Sequence, residues 1–315
     1  MKNRFVQYHL VLTLIISLIL PLPGTAAEKL TLMLDWFPNV DHLPIYLARE
    51  AGYFEDHHVE VEILTPSDTS DALKLVAAGQ VDLAVSYQPQ TIIAAAQGLD
   101  IRAVTPLVVH PLTTLLFLDE SIKTPSDLSG KNIGYTVPGL MDVMLKAFAD
   151  INGVRDYTPV NVGFTILPAL VSNQVDAVMG PFKTYETVGM KQHGYAARYF
   201  ELEKYGIPDY EELIFVAGTR TLEEKDEAIQ GFVTAIKIAL AEARSKPAES
   251  LAVYLAAVPE ADKTIETQAF ELTRPYFAGT EGHNTDHWQA FADFALKYGL
   301  IPAPVDAAAL IHTWE

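Results

Sequence analysis

The 315-residue chain contains no cysteine. That excludes disulfides, thiol nucleophiles, thiolate-bound zinc or iron–sulfur centres, and a lipid tether through an N-terminal cysteine. Positive charge is scarce: 22 Lys and Arg stand against 40 Asp and Glu, a formal net charge of −18. A surface of that sign is not built to hold nucleic acid non-specifically, which takes a basic face. No Gly-x-Ser-x-Gly elbow, Walker A loop or dinucleotide fingerprint occurs. After residue 27 no uncharged apolar run is long enough to cross a bilayer, so the remaining chain is expected to be soluble. What is abundant is apolar mass: 50% of residues are hydrophobic and 20% charged. That supports a sizeable core, excludes bulk disorder, and at this length allows two ordinary domains or one large one.

The first 27 residues read as a cleaved secretory signal. Lys2 and Arg4 start it, an apolar run over residues 10–20 follows, and Pro21 and Pro23 break that run. Thr25, Ala26 and Ala27 then offer the small residues a signal peptidase needs. The run is too short to span about 30 Å of hydrocarbon. Without a lipidated cysteine, the expected address is a free periplasmic protein.

The rest alternates short β-branched runs with amphipathic helical runs, the pattern of α/β layering. Strands are expected at residues 30–34, 59–64, 81–86, 131–137, 160–166, 175–179 and 212–217, with extended segments at 101–109 and 113–118. Helices fall between them, and beyond Thr221 the chain is mostly helical. One pattern occurs twice. A helix ends in Gly79-Gln80-Val81-Asp82 before an apolar strand, and another in Asn173-Gln174-Val175-Asp176 before a second such strand. We read this as two lobes of like topology: residues 28–116 and 218–315 in the first, 117–217 in the second. In open parallel sheets ligands bind beyond the carboxyl ends of the strands. The loops at Tyr87-Gln88 and residues 182–186 are then expected to face each other across a cleft.

Candidate ligand residues cluster at those strand ends. After the first strand, Trp36 offers a flat face, while Asn39 and His42 offer hydrogen bonds of either sense; Asp41 reads equally as a cap of the next helix. Tyr87 and Gln88 follow the third strand. Phe182, Tyr185 and Glu186 lie in the matching second-lobe loop, where Glu186 is either a first-turn helix carboxylate or an acceptor for an amino group. The stretch from Tyr135 to Gly139 precedes a helix, so its N–H groups can receive a ligand acceptor. His283 and His287, at i, i+4 spacing, are a weak metal pair that reads first as a solvated helix start. No catalytic residue and no metal site is assigned.

Several stretches resemble the substrate-binding proteins of ABC importers for thiamine pyrimidine precursors. They are Leu34-Asp35-Trp36-Phe37 with Asn39 and His42, Ala51-Gly52-Tyr53-Phe54, Leu75-Val76-Ala77-Ala78-Gly79 and Ser86-Tyr87-Gln88-Pro89-Gln90. The resemblance continues through Gln174-Val175-Asp176-Ala177-Val178 and Glu211-Glu212-Leu213-Ile214-Phe215-Val216-Ala217. It implies a type II periplasmic-binding-protein fold, with two αβα lobes around a cleft and a helical C-terminal tail. It also implies a monomer without cofactor that captures a formyl- or hydroxymethyl-aminopyrimidine and passes it to a permease and its ATPase. Trp36 and Tyr87 would stack on the ring, Asn39, His42 and Gln88 would bond its edge, and Glu186 would accept its amino group. The same family includes a fungal pyrimidine synthase with a cysteine-rich motif and a lysine-bound pyridoxal phosphate; the chain has no cysteine. Pro138, Met141 and Thr184 depart from the transporter pattern and leave other solutes open, such as a riboflavin-like ring or a sulfonate. Lys183 is the one cation in the cleft motifs, a poor endowment for an oxyanion.

Overall fold

The computed structural model describes residues 27–279 and 281–314. The expected export signal, Ala27 apart, lies outside them. The first half of the chain supplies β1 (Glu28–Met33), α1 (Leu43–Glu50), α2 (Tyr53–Asp56), β2 (Val59–Leu64), α3 (Asp71–Ala77), β3 (Leu83–Ser86), α4 (Gln88–Ala96), β4 (Ile101–Val108) and β5 (Thr113–Phe117). Next come β6 (Asn132–Tyr135), α5 (Met141–Asn152), β7 (Thr158–Asn161), α6 (Ile166–Val171), β8 (Ala177–Phe182), α7 (Glu186–Gln192), β9 (Arg198–Glu201) and β10 (Leu213–Gly218). Four helices close the chain: α8 (Thr219–Ser245), α9 (Pro247–Ala257), α10 (Lys263–Thr273) and α11 (Thr285–Lys297).

The strands form two five-stranded sheets, ordered β2-β1-β3-β10-β4 and β7-β6-β8-β5-β9. In the first, β1 runs parallel to β2 and β3, and β10 is antiparallel to β3 and β4. In the second, β6 runs parallel to β7 and β8, and β5 is antiparallel to β8 and β9. The sheets share one plan, with β5 and β10 in equivalent places. Each of these two strands is the first that the chain lays down after crossing between lobes. The crossings therefore lie at residues 109–112 and 206–212. Lobe boundaries expected after residues 116 and 217 thus fall several residues late. The run of residues 113–117 is wholly buried, as a first-lobe strand would be, and hydrophobicity does not say which sheet buries it.

The repeated turn has a physical basis. Gly79 and Asn173 both adopt left-handed φ, +66° and +57°, just past the ends of α3 and α6. There the N–H groups of Gln80 and Gln174 return to the carbonyls of Leu75 and Ala169, each at 2.9 Å, closing the helices. The following aspartates then tie neighbouring strands together. Asp82 Oδ2 accepts the Thr31 N–H at 2.8 Å, and Asp176 Oδ2 accepts the Asn132 N–H at 2.9 Å.

Two details differ from expectation. The apolar stretch at residues 160–166 is not one strand: β7 ends at Asn161, and Gly163 at φ +47° turns the chain into α6. The edge strand β9 was not expected, because Arg-Tyr-Phe-Glu is short and carries two charges. The tail returns to the first lobe. The N–H of His312 bonds the Ala103 carbonyl of β4 at 2.8 Å, and the fully buried Trp288 of α11 bonds Glu211 beside β10. No helix among the described residues is long and apolar enough to cross a membrane.

Candidate functional site

The loops after β1, β3 and β6 and the end of β8 converge on one cleft, where open parallel sheets place ligands. It encloses about 370 Å³, its mouth included, and its walls carry Asp35, Trp36, Asn39, Asp41, His42, Tyr87, Thr136, Ile166, Gly180, Phe182, Tyr185, Glu186 and Leu213. Only about 20 Å³ of this is cavity proper, room for a water-sized group, so the walls lie closely shut on one another. The lobes touch around it. The Thr69 hydroxyl of the first lobe donates to the Thr136 carbonyl of the second at 2.7 Å. Trp36 meets Phe164 of the second lobe edge-on, with ring centres 4.6 Å apart.

Asp35 organises the first-lobe wall. One of its oxygens lies 2.9 Å from His42 Nε2, and the other accepts the Tyr87 hydroxyl at 2.6 Å. Burial and the Asp35 charge push the Tyr87 phenol well above its usual pKa, so it stays a neutral donor. His42 is 1% exposed and its Nδ1 has no partner. Asn39 caps the short turn Val40–His42: its Oδ1 accepts the Asp41 N–H at 2.8 Å and its Nδ2 donates to the Phe37 carbonyl at 3.1 Å. Asn39, not Asp41, is therefore the cap here. Asp41 instead bonds across to α10, accepting the Thr273 hydroxyl at 2.8 Å on Oδ1 and leaving Oδ2 without a partner. Desolvation raises Asp41 to a pKa of about 7.

From the second lobe, Glu186 is both things its position allowed. It opens α7 and accepts the Phe182 N–H at 2.6 Å, yet it also lines the cleft. Burial pushes its pKa up to about 7, and the nearby Asp35 adds to the rise. Tyr185 donates to Glu266 of α10 at 2.7 Å, which ties second-lobe wall to C-terminal tail.

Seven of the ten expected ligand residues thus share the cleft: Trp36, Asn39, His42, Tyr87, Phe182, Tyr185 and Glu186. Gln88, Tyr135 and Gly139 are not among its walls. The amide of the fully buried Gln88 is spent on the second crossing, where its Oε1 accepts the Glu211 N–H at 2.8 Å. Tyr135 is displaced by strand alternation, which sends the next residue, Thr136, to the cleft. The Gly139 N–H is already taken by Asp142 Oδ1 at 2.7 Å. Lys183 is absent from the walls as well, because its ammonium sits between Glu201 and Glu203 at 3.1 and 3.0 Å. His283 and His287 do not converge: His283 lies 2.5 Å from Glu211, whereas His287 faces Asp209 at 3.9 Å.

Asp35, Ile166, Gly180 and Leu213 were not singled out as wall residues, and Thr136 entered only through the expected N–H groups of residues 135–139. Gly180, at φ +128°, carried a usable signal: a side chain there would collide with Thr136.

The crossings lie side by side beneath the cleft. The buried Glu212 carboxylate accepts the N–H groups of Leu112 and Thr113 at 2.5 and 2.7 Å and the Thr113 hydroxyl at 2.7 Å. One side chain at the end of the second crossing thereby clamps the end of the first.

Residues 39–250 match the family described as NMT1/THI5 like. A Haemophilus influenzae protein whose name places it in thiamine biosynthesis is 37% identical over 298 residues, covering 91% of this chain and 93% of its own. The formylaminopyrimidine-binding protein of Halalkalibacterium halodurans is 34% identical over 241 residues, covering 75% of this chain and 73% of its own. A Schizosaccharomyces pombe relative, 25% identical over 305 residues (92% of this chain and 88% of its own), is named 4-amino-5-hydroxymethyl-2-methylpyrimidine phosphate synthase. Among solved structures, the alkanesulfonate-binding protein SsuA of Xanthomonas axonopodis pv. citri superposes with a TM-score of 0.72 at 18% identity, covering 92% of this chain and 99% of that one. Sequence and architecture together show that the chain belongs to the NMT1/THI5-like family and has the periplasmic-binding-protein fold, two α/β lobes joined by paired crossings around a cleft.

Proposed function

We propose that the protein is the periplasmic solute-binding component of an ABC importer, capturing an aminopyrimidine precursor of thiamine as a monomer and handing it to a permease and its ATPase. The observation that carries this reading is the chemistry of the cleft wall. It presents three carboxyl groups (Asp35, Asp41 and Glu186), one imidazole and four aromatic rings, and no Lys or Arg. Oxyanions are held by guanidinium, ammonium or helix-start amides. An acid-lined wall instead repels sulfonate or nitrate and suits an uncharged or weakly basic ring with N–H donors. In this reading Trp36 and Tyr87 flank the ring, His42 Nδ1 bonds its edge, and Glu186 accepts its amino group. Ligand contacts to both lobes favour the closed form, and the paired crossings act as its hinge. The formylaminopyrimidine-binding name of one relative supports the same ligand class.

The synthase names of fungal relatives favour a second reading, an enzyme. A lysine-bound pyridoxal phosphate does not fit here: no Lys lines the cleft, and Lys183 is committed to Glu201 and Glu203. Calorimetric titration with formylaminopyrimidine, hydroxymethylpyrimidine, riboflavin and taurine separates the readings. Saturable binding of an aminopyrimidine, with the compound recovered unchanged, is expected. Tight binding of taurine alone, or conversion of the bound compound, overturns the proposal.

A further inference from the structure

Asp41 is spent oddly. It is 1% exposed, it belongs to the cleft wall, and only one of its oxygens is used, by the Thr273 hydroxyl. Oδ2 has no partner. A buried carboxyl oxygen without a donor is costly, and such atoms are rare unless something arrives to pair with them. Clamping Thr273 needs a single acceptor oxygen, which an uncharged amide would supply without burying a charge.

The surroundings are acidic throughout. Asp35 and Glu186 share the cleft wall with Asp41, and the charge of Asp41 is felt by or from Glu186 on α7, Glu266 on α10, the adjoining His42, Tyr185 and Tyr254. Glu266 also has one oxygen without a partner, and its burial likewise raises its pKa to about 7. No Lys or Arg lines the cleft to offset these groups. Like-charged carboxyls in one dry site do not all ionise together, so they hold protons that an incoming donor or cation displaces or shares.

We propose that Asp41 is a specificity-determining ligand contact, which keeps Oδ2 for an N–H of a basic amino-heterocycle, and that this heterocycle binds with a proton shared between it and the Asp41–Glu186 pair. The inference rests on the reading above and sharpens it. Ring compounds that offer hydrogen-bond acceptors alone are rejected, and occupancy of the cleft becomes linked to pH. A purely structural Asp41 would stabilise the contact with α10 and leave protons out of binding.

Calorimetry with 4-amino-5-hydroxymethyl-2-methylpyrimidine near neutral pH, in two buffers of different ionisation enthalpy, tests this. The wild-type protein is expected to exchange a substantial fraction of one proton per ligand bound. Asp41→Asn is expected to weaken binding by about tenfold or more, as loss of a charge-assisted hydrogen bond does, and to remove most of the proton exchange. Thr273→Val, which breaks only the clamp, is expected to lower thermal stability and keep the proton exchange. If Asp41→Asn binds the pyrimidine as the wild type does, with the same proton exchange, the Asp41 proposal fails while the functional reading stands. If the wild-type protein binds no aminopyrimidine, both fail. Should Asp41→Asn not fold, the wild-type measurement decides: buffer-independent heats between about pH 6 and 8 overturn the proposal.

Discussion

Gly180 is the position at which fold and site constrain each other most tightly, and replacing it with alanine gives a calculable result. Its φ of +128° is a conformation that costs an L-residue about 1–3 kcal/mol. A Cβ built there would lie 2.0 Å from Thr136 Oγ1, 2.8 Å from Cγ2 and 2.9 Å from Cβ. Rotating the Thr136 hydroxyl away relieves the first contact but not the third, so β6 and β8 must also separate. Overpacking of this kind costs about 1–3 kcal/mol more. The sum is about 2–6 kcal/mol, a fall in Tm of about 5–15 °C for a chain of this size. Gly139 is the control. It too has positive φ, +81°, but a Cβ there meets nothing within 4 Å, so Gly139→Ala pays only the backbone cost. Thermal and urea unfolding of both variants make the comparison. Because Thr136 and Gly180 both line the cleft, Gly180→Ala should also weaken ligand binding, whereas Gly139→Ala should not. If Gly180→Ala is no less stable than Gly139→Ala, the close approach of β6 and β8 is refuted.

Further expectations follow from the same contacts. Glu212→Ala strands two buried N–H groups and a hydroxyl at the first crossing, at about 1–3 kcal/mol for each unpaired group; urea unfolding should show a loss of about 3–9 kcal/mol, and a midpoint equal to wild type would dissolve the clamp. Trp36→Ala removes an aromatic wall and the contact with Phe164, so ligand affinity should fall by about a hundredfold on titration while far-ultraviolet dichroism is unchanged. The pH dependence of stability has a definite sign. Asp41, Glu186, Glu212 and Glu266 are each raised by burial to about 7, above their values of 3.8 or 4.5 in an open chain. The folded state therefore binds protons more tightly, and the stability they contribute is full below about pH 4 and lost as pH rises through about 7. Scanning calorimetry of the ligand-free protein should give a Tm several degrees higher near pH 5.5 than near pH 8, and the opposite order would contradict those environments.

The layering was legible because it is local. Strand and helix periods, the Gly79 and Asn173 helix ends and the Gln-Val-Asp turns all act over a few residues, and the structure uses them as such. The cleft was legible at the strand ends, where aromatic and polar residues break the apolar pattern. What sequence could not show was how individual side chains are spent over long separations. Gln88 is held by Glu211, 123 residues away, and one oxygen of Asp41 by Thr273, 232 residues away. Neither partner carries a pattern that announces the other. Glu211 and Glu212 read only as the start of a strand within a family-like stretch, yet one anchors the tail through Trp288 and the other clamps the crossings. The lobe boundaries moved for a related reason, since β5 and β10 are as apolar as strands of either sheet and only their partners reveal where the chain has crossed.

We propose that the cleft holds a basic amino-heterocycle, which the protein hands on unchanged. Native mass spectrometry of the protein, purified without denaturation and compared with the same sample after denaturation, addresses it directly. A mass increment that matches an aminopyrimidine and that is released intact is expected. A released sulfonate or other oxyanion, or a pyrimidine found covalently attached to the chain, would contradict it.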